Sequence, residues 1–423
     1  MKFPRRRIAV AWAGVATFAV AATITQQGWS QDQTQPARID SARGPVFGST
    51  RQIALGGAFV AIAEDTDGVA VNPAADAVRL PYSSGAWDYG FGLSVAIGAW
   101  LPKNDFYNRS NGSKAGQGAA LFGSLAAVVN FEHAGFGLAG EAQRNAATRV
   151  DQPQGIAPTS LAANFGTAHA SLAYGFFDGQ LLLGAGPRLI GISFGGGSSA
   201  GLLSAAGLGY EAGAIIKPYT CQWRIGAAAK SPILASVLDE PGAAATHVHL
   251  PWEVAVGFAY QFGARPFNPQ LLTARHLAQA IAVDREPNAA EVERAEAELF
   301  RRYQSRPRWY LLVSSELSVV QGGGHVGLEN GDVVTSQPSF SPRLGLESEV
   351  IAHILKARAG SYYEQARATG APSRIHATGG FDLRLFEWDV FGLHRPFDYW
   401  QLSVGADAAS SYLNTSFSIG FWH

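Results

Sequence analysis

Trp309-Tyr-Leu-Leu-Val-Ser-Ser-Glu-Leu-Ser-Val319 divides by parity: Trp309, Leu311, Val313, Leu317 and Val319 fall on one side, Ser314, Glu316 and Ser318 on the other. Side chains of an extended chain point alternately to two faces, so this stretch reads as a strand with one greasy face and one polar face. The pattern returns in Arg343–Val350, where Leu344, Leu346 and Val350 oppose Arg343, Glu347 and Glu349. It returns again in His376–Leu385, with Phe381, Leu383 and Leu385 against Thr378, Asp382 and Arg384. In a soluble sandwich the polar face would carry scattered charges toward water. Here charges of both signs gather on the polar parity of neighbouring segments: Glu316, Arg343, Glu347, Glu349, Lys356, Arg358, Glu364, Asp382 and Arg384. That suits a wet lumen in which they pair. Polar-in, apolar-out alternation is the signature of a transmembrane β-barrel.

Working outward, such segments begin near Ser84, Ala119, Gly135, Leu161, Leu181, Leu203, Trp223, Trp252, Trp309, Arg343, Lys356, His376, Trp400 and Tyr412. That is about fourteen strands, an even number as bacterial barrels require. Glu132-His133, Phe177-Asp178-Gly179 and Pro218–Gln222 make short connections; 102–118, 145–160, 239–249 and 321–339 make long ones. If the plug and the C-terminus both start from the periplasm, the long connections lie outside. One connection, 264–306, lacks alternation and predicts a helical hairpin on the periplasmic side. Asn268 before Pro269 reads as an N-cap with proline at the first helical position, and Asn288 with Glu291 as a capping box. The hairpin could pack on its own barrel, occlude its mouth or dock a periplasmic protein.

The first thirty residues have the layout of a secretory signal. Lys2, Arg5, Arg6 and Arg7 precede an uncharged apolar run from Ile8 to Ala22 that ends in small residues. No cysteine follows the run, so a lipoprotein is not indicated. Removal of this signal and a Gram-negative outer-membrane location are expected. Composition agrees: 423 residues contain 49 glycines, 15% charged residues and a single cysteine, Cys221, which has no internal disulfide partner. A net charge of −1 gives no bulk electrostatic case for nucleic acid.

Before the first strand lies Arg51-Gln-Ile-Ala-Leu-Gly-Gly-Ala-Phe-Val-Ala-Ile-Ala-Glu-Asp-Thr-Asp-Gly-Val-Ala-Val-Asn-Pro-Ala74. Gly56 and Gly57 permit dihedrals and close approaches that a side chain forbids, and Pro73 biases Asn72 away from helix. The expectation is a compact, non-helical plug. This stretch resembles the N-terminal signature of FadL-like outer-membrane transport proteins, including the PorV branch, in which a "GGA" segment and a "DD…NPA" segment recur. The resemblance implies a plug built on Arg51, Gly56, Gly57, Glu64, Asp65, Asp67, Asn72, Pro73 and Ala74, with the acidic residues forming hydrogen bonds and turns. The last strand, Tyr412–His423, carries Phe417, Ile419 and Phe421 on one parity and resembles a signal read by the barrel assembly machinery, except that His423 follows Trp422. Trp87, Tyr89, Trp100, Trp252, Trp309, Trp400 and Trp422 near strand ends suit interfacial girdles in contact with outer-membrane lipid.

Catalytic constellations are missing from the sequence. Ser193, Ser198 and Ser199 do not form a nucleophile elbow, and His133, His169, His247, His249, His276 and His325 show no ligand spacing beyond His247-Val-His249 on a loop. The reading is therefore a non-enzyme without cofactor or metal: all-β, with a signal at 1–30, a plug at 31–82, a barrel at 83–423 and a helical insertion at 264–306. The resemblance implies passive uptake of hydrophobic or amphipathic small molecules or lipids, of the fatty-acid or hydrocarbon type, by way of a displaced plug. A PorV-like partner or shuttle role in export or surface attachment is the alternative.

Overall fold

The computed structural model describes residues 38–40, 44–79, 87–98, 105, 108, 119–149, 159–196, 203–237, 247–270, 272–282, 285–323, 326–327, 336–366, 372–387 and 399–422. The expected signal, Trp100, Ser198, Ser199, His325 and His423 lie outside them. Fourteen strands form the wall: β1 Trp87–Ile97, β2 Ala119–Phe131, β3 Ala134–Arg149, β4 Thr159–Phe176, β5 Leu181–Gly196, β6 Leu203–Ile216, β7 Trp223–Lys230, β8 Glu253–Gly263, β9 Tyr310–Val320, β10 Ser339–Ile351, β11 Leu355–Glu364, β12 Arg374–Glu387, β13 Tyr399–Ala409 and β14 Tyr412–Trp422. Each pairs antiparallel with its sequence neighbours. The ring closes where β14 pairs with β1, Thr415 opposite Ile97 through Ile419 opposite Leu93. Closure leaves no open edge, the condition for crossing a membrane with strands. Every expected start lies within about four residues of the observed one, because a period of two is a strong signal over strands this long.

Parity is realised as expected. Leu311, Leu317, Leu344, Leu346, Val350 and Phe381 are exposed on the outer face, whereas Ser314, Glu316, Glu347, Glu349 and Asp382 are buried inward. Elsewhere Leu125, Leu172, Leu189 and Val256 are more than half exposed. Hiding one such side chain from water is worth roughly 1.5–3 kcal/mol, so an outer band of them is stable only against an apolar surround. At the short-turn end Trp87, Phe131, Phe177, Phe262, Trp309 and Phe386 stand exposed as a belt. Trp422 is not part of it: its side chain turns inward, with the Lys356 ammonium 4.3 Å from its ring.

Short turns use left-handed residues such as Glu132, Phe177, Asp178 and His353. Two connections depart from the expected alternation. The 388–398 link, outside the described residues, joins β12 to β13 at the short-turn end, while β13 and β14 meet at the other end through a tight turn at Ser410-Ser411. A further difference concerns how the chain arrives. Arg38–Asp40 pairs in parallel with His247–His249 and with Val326-Gly327, both in connections at the long-loop end. The chain thus enters the plug from the long-loop end and leaves it for β1 at the short-turn end. His247 and His249 accordingly lie on a short strand, not a loop.

The insertion holds two helices, separate from the two short ones in the plug (α1 Thr50–Ala54 and α2 Asp65–Gly68): α3 Ala274–Ala282 and α4 Ala289–Gln304. Ala274, Ala278 and Ala295 form their shared core with Leu277, Val292 and Leu299 against it. The capping box at Asn288 and Glu291 is present. The expected cap at Asn268 is not. Asn268 is buried, its amide donating to the Cys221 and Trp223 carbonyls while its oxygen accepts from Arg224 Nε at 2.8 Å. Tertiary demand from three wall groups outweighs the local capping preference, and α3 starts later, with the His276 N–H donating to Thr273 Oγ1.

Candidate functional site

The lumen is occupied by residues 44–79. Local chemistry makes this plug more helical than its glycines and proline suggest. Ser49 accepts from the Gln52 N–H and starts α1. Gly56 and Gly57 follow with φ of +62° and +75°, values that side chains rarely adopt. After α2, Asn72, extended as expected before proline, accepts from the Ala74 N–H and caps a 3-10 turn over Pro73–Ala77. Leu55, Phe59, Ile62 and Ala74 pack against Leu182, Ile215, Tyr310 and Leu312 of the wall in one buried cluster. The wall makes room with inward-facing glycines. A Cβ added at Gly360 would sit 2.5 Å from Gly56 N, and one at Gly226 would sit 2.2 Å from Val60 O.

Polar contacts join plug to wall. Arg51 donates from Nε to Glu347 at 2.8 Å and from Nη1 to Glu64 at 3.0 Å. The second oxygen of Glu64 accepts from Arg224 of β7 at 3.0 Å. Arg358 links the same Glu347, at 2.6 Å, to Asp382, at 2.5 Å. Glu316 accepts from two plug amides, Phe59 at 2.9 Å and Val60 at 2.8 Å, and from Arg343 at 2.7 Å. Asn72 donates to Val60 O, within the plug, and to Ala214 O of the wall. Each plug charge named here has a counter-charge, as burial requires. Burial pushes the Glu64 carboxyl up, yet Arg224 and Arg51 outweigh it and hold the group at about 2. Asp67 is pushed up to about 6 by burial, against the pull of Arg51.

Of the expected site residues, Arg51, Glu64, Glu316, Arg343, Glu347, Arg358 and Asp382 converge in this network. Glu349 pairs with Arg265 at 3.3 Å, and Glu364 lies apart among Arg374 and His376. Lys356 faces Trp422, and Arg384 lies over Tyr399 at 4.3 Å. Asp65 adopts φ +53° beside Gly90. Sequence reasoning missed Arg224, whose parity was readable on a strand that was itself expected. It also missed Asp76, which accepts from Ser171 Oγ at 2.6 Å, and the buried pairs His169–Glu211, at 3.0 Å, and His376–Asp407, at 2.8 Å. Isolated histidines carry no signal of their partners until strands are in register. Among the described residues no group of three or more His, Cys, Asp or Glu is arranged to hold a metal.

The plug divides the lumen. Toward the long loops lies an upper chamber of ≈170 Å³, where Phe47, Phe122 and Phe165 share the lining with Glu141, Glu316 and Lys230. Beneath, at the short-turn end, lies a lower chamber of ≈110 Å³ dominated by charged side chains, including Arg51, Lys217, Arg224 and Arg308. Both chambers of the lumen thus carry charged side chains in their lining. An apolar space of ≈650 Å³ exists instead along β1–β6, bordered by outward Leu121, Gly166 and Gly191. Phe122 and Phe165 line both this depression and the upper chamber.

No protein-family model and no curated protein matches the chain by sequence. Solved structures do match in fold. A FadL homologue of Pseudomonas aeruginosa is similar over 90% of this chain and 98% of its own, with a TM-score of 0.53 at 14% identity. The CymD monoaromatic hydrocarbon channel covers 90% and 97%, at 0.52 and 13% identity. A TodX monoaromatic hydrocarbon channel mutant covers 88% and 98%, at 0.52 and 14% identity. In fold, then, the chain resembles the FadL-like outer-membrane barrels.

Proposed function

We propose that this chain, sharing the fold of the FadL-like channels, is an outer-membrane channel for passive uptake of hydrophobic or amphipathic molecules of the hydrocarbon or fatty-acid type. The observation that carries this reading is the apolar depression beside the upper chamber, separated from it by Phe122 and Phe165. A neutral apolar solute entering from the long-loop end gains from ring contacts in the upper chamber and gains nothing from the charged lower one. Its favourable way on is sideways, toward the outer face of the wall, at roughly 25 cal/mol for each Å² of apolar surface kept from water. The plug then need not be expelled; its role is to hold polar solutes back. The test is uptake of radiolabelled toluene and oleate by intact cells with and without the protein. Faster uptake of at least one supports the channel, and equal rates for both solutes with and without protein would overturn it.

The insertion favours a second reading, a PorV-like partner role. Helix α4 turns Arg301 and Arg302 to solvent, each paired with Glu298, and Ile281 of α3 is exposed. Photo-crosslinking from position 301 in cells separates the readings, because only a docked protein yields a heavier adduct of defined mass.

A further inference from the structure

We propose that the lower chamber is a binding site for a compact organic carboxylate, held by Lys217, Arg306 and Arg308 at the short-turn end of the barrel. This goes beyond passage through the upper chamber: it assigns a site for small carboxylates to a separate place below the plug.

The case starts from charge. Many cations of this chamber are consumed by carboxylates: Arg51 by Glu347 and Glu64, Arg224 by Glu64, Arg265 by Glu349 and Arg358 by Glu347 and Asp382. Lys217, Arg306 and Arg308 line the same chamber and form no ion pair with any described residue. Lys217 is 8% exposed, and its ammonium has no hydrogen-bond partner among the described residues. Arg308 Nε is buried and likewise lacks one. An unmatched buried cation is costly, so a chain that keeps Lys217 buried, with two part-exposed arginines beside it, gains from an anion there.

Burial and neighbouring Arg224 push the Lys217 amine down to about 7, against the pull of Glu64. Burial, with Arg265 and Arg308 beside it, also pushes Arg306 below its usual value. A bound anion would relieve both. Rings supply the other half of an organic ligand's needs. Tyr303 lies 5.0 Å from the Arg308 guanidinium, Tyr310 lies 4.6 Å from that of Arg265, and Phe267 lies 4.1 Å from that of Arg224. A carboxylate matches the planar fork of an arginine, while its few carbons meet the apolar edges of the rings. Size restricts the ligand. An apolar cavity of about 150 Å³ holds benzene, so ≈110 Å³ is too small for an aromatic ring and suits a carboxylate carrying a few carbons.

The experiment is calorimetric titration of the full chain in detergent with propionate and, separately, with propionamide, its neutral analogue. Propionate should bind and propionamide should not compete with it. Lys217→Met and Arg308→Met should each weaken propionate binding about tenfold or more, the loss expected when one charge-assisted contact is removed. Lys217→Arg should retain binding, which distinguishes a lost charge from a damaged turn. Toluene uptake should be the same in all these variants, so failure of the apolar channel and failure of this site are read separately. Propionate binding no tighter than propionamide, or propionate affinity unchanged in both methionine variants, would overturn the proposal.

Discussion

Arg51 bridges Glu347 of the wall and Glu64 of the plug, and removing it leaves two carboxylates facing each other across the seal. Breaking one side of a buried ion pair costs about 3–5 kcal/mol when the charge left behind has no other partner, and less here, where Arg224 still pairs with Glu64 and Arg358 with Glu347. Arg51→Met should therefore loosen the plug without affecting the fully paired wall, and cells carrying it should become more susceptible to small polar antibiotics while the assembled barrel remains at parental abundance. Unchanged susceptibility would mean that other contacts suffice. Acidity should do the same reversibly. Because Glu64 is held at about 2 against an ordinary 4.5, its contribution is whole above about 4.5 and fades as pH falls toward about 2. Asp67, raised to about 6, acts in the opposite sense and gains on protonation. Conductance across planar bilayers should stay low from neutral pH to about 4.5 and rise below it; a rise near neutrality would remove Glu64 from the seal. At this scale the sequence was informative where a residue carried its own constraint. Gly56 and Gly57 were readable because only glycine is at ease at their φ values, and Glu316 and Glu347 because a strand's parity fixes their face. Arg224 and Asp76 depend on what stands opposite them, which no local pattern records.

Among the elements, strands were the most legible because each repeats its signal over many residues, whereas a helix cap depends on one or two. The contrast within the insertion shows why. Asn288 and Glu291 satisfy each other locally, so their capping box is independent of the rest of the molecule. Asn268 could have capped a helix but meets Arg224 and two wall carbonyls, and those bonds decide its place. Asn288→Ala should cost the hairpin about 1 kcal/mol, seen as faster amide exchange at the start of α4 with toluene uptake unchanged. Asn268→Ala should act instead on the barrel, lowering its unfolding temperature in detergent. If both substitutions affected only the hairpin, the structural assignment of Asn268 would be wrong. The plug's short helices were less legible, since runs of five residues or fewer lie below the length at which periodicity speaks.

For the molecule as a whole, the closed ring and its inside-out polarity were written in the alternation, but the paths through it were not. The lumen is split by a plug whose chain enters at one end and leaves at the other, and its lower half is charged. What remains apolar and open is the depression outside β1–β6, a space that exists because outward Gly166 and Gly191 contribute no side chain. A Cβ added at Gly191 meets nothing within 4 Å, and one at Gly166 meets only the Gly191 carbonyl at 3.9 Å. Leucine at both positions should therefore fill the depression while the barrel still assembles and migrates as a compact species before boiling. The most direct measurement is the initial rate of radiolabelled toluene uptake by cells expressing the parent chain, the Gly166→Leu/Gly191→Leu variant, or no protein. If apolar solutes pass sideways from the upper chamber, the variant should fall to the rate of cells without the protein; a variant as fast as the parent would contradict that passage.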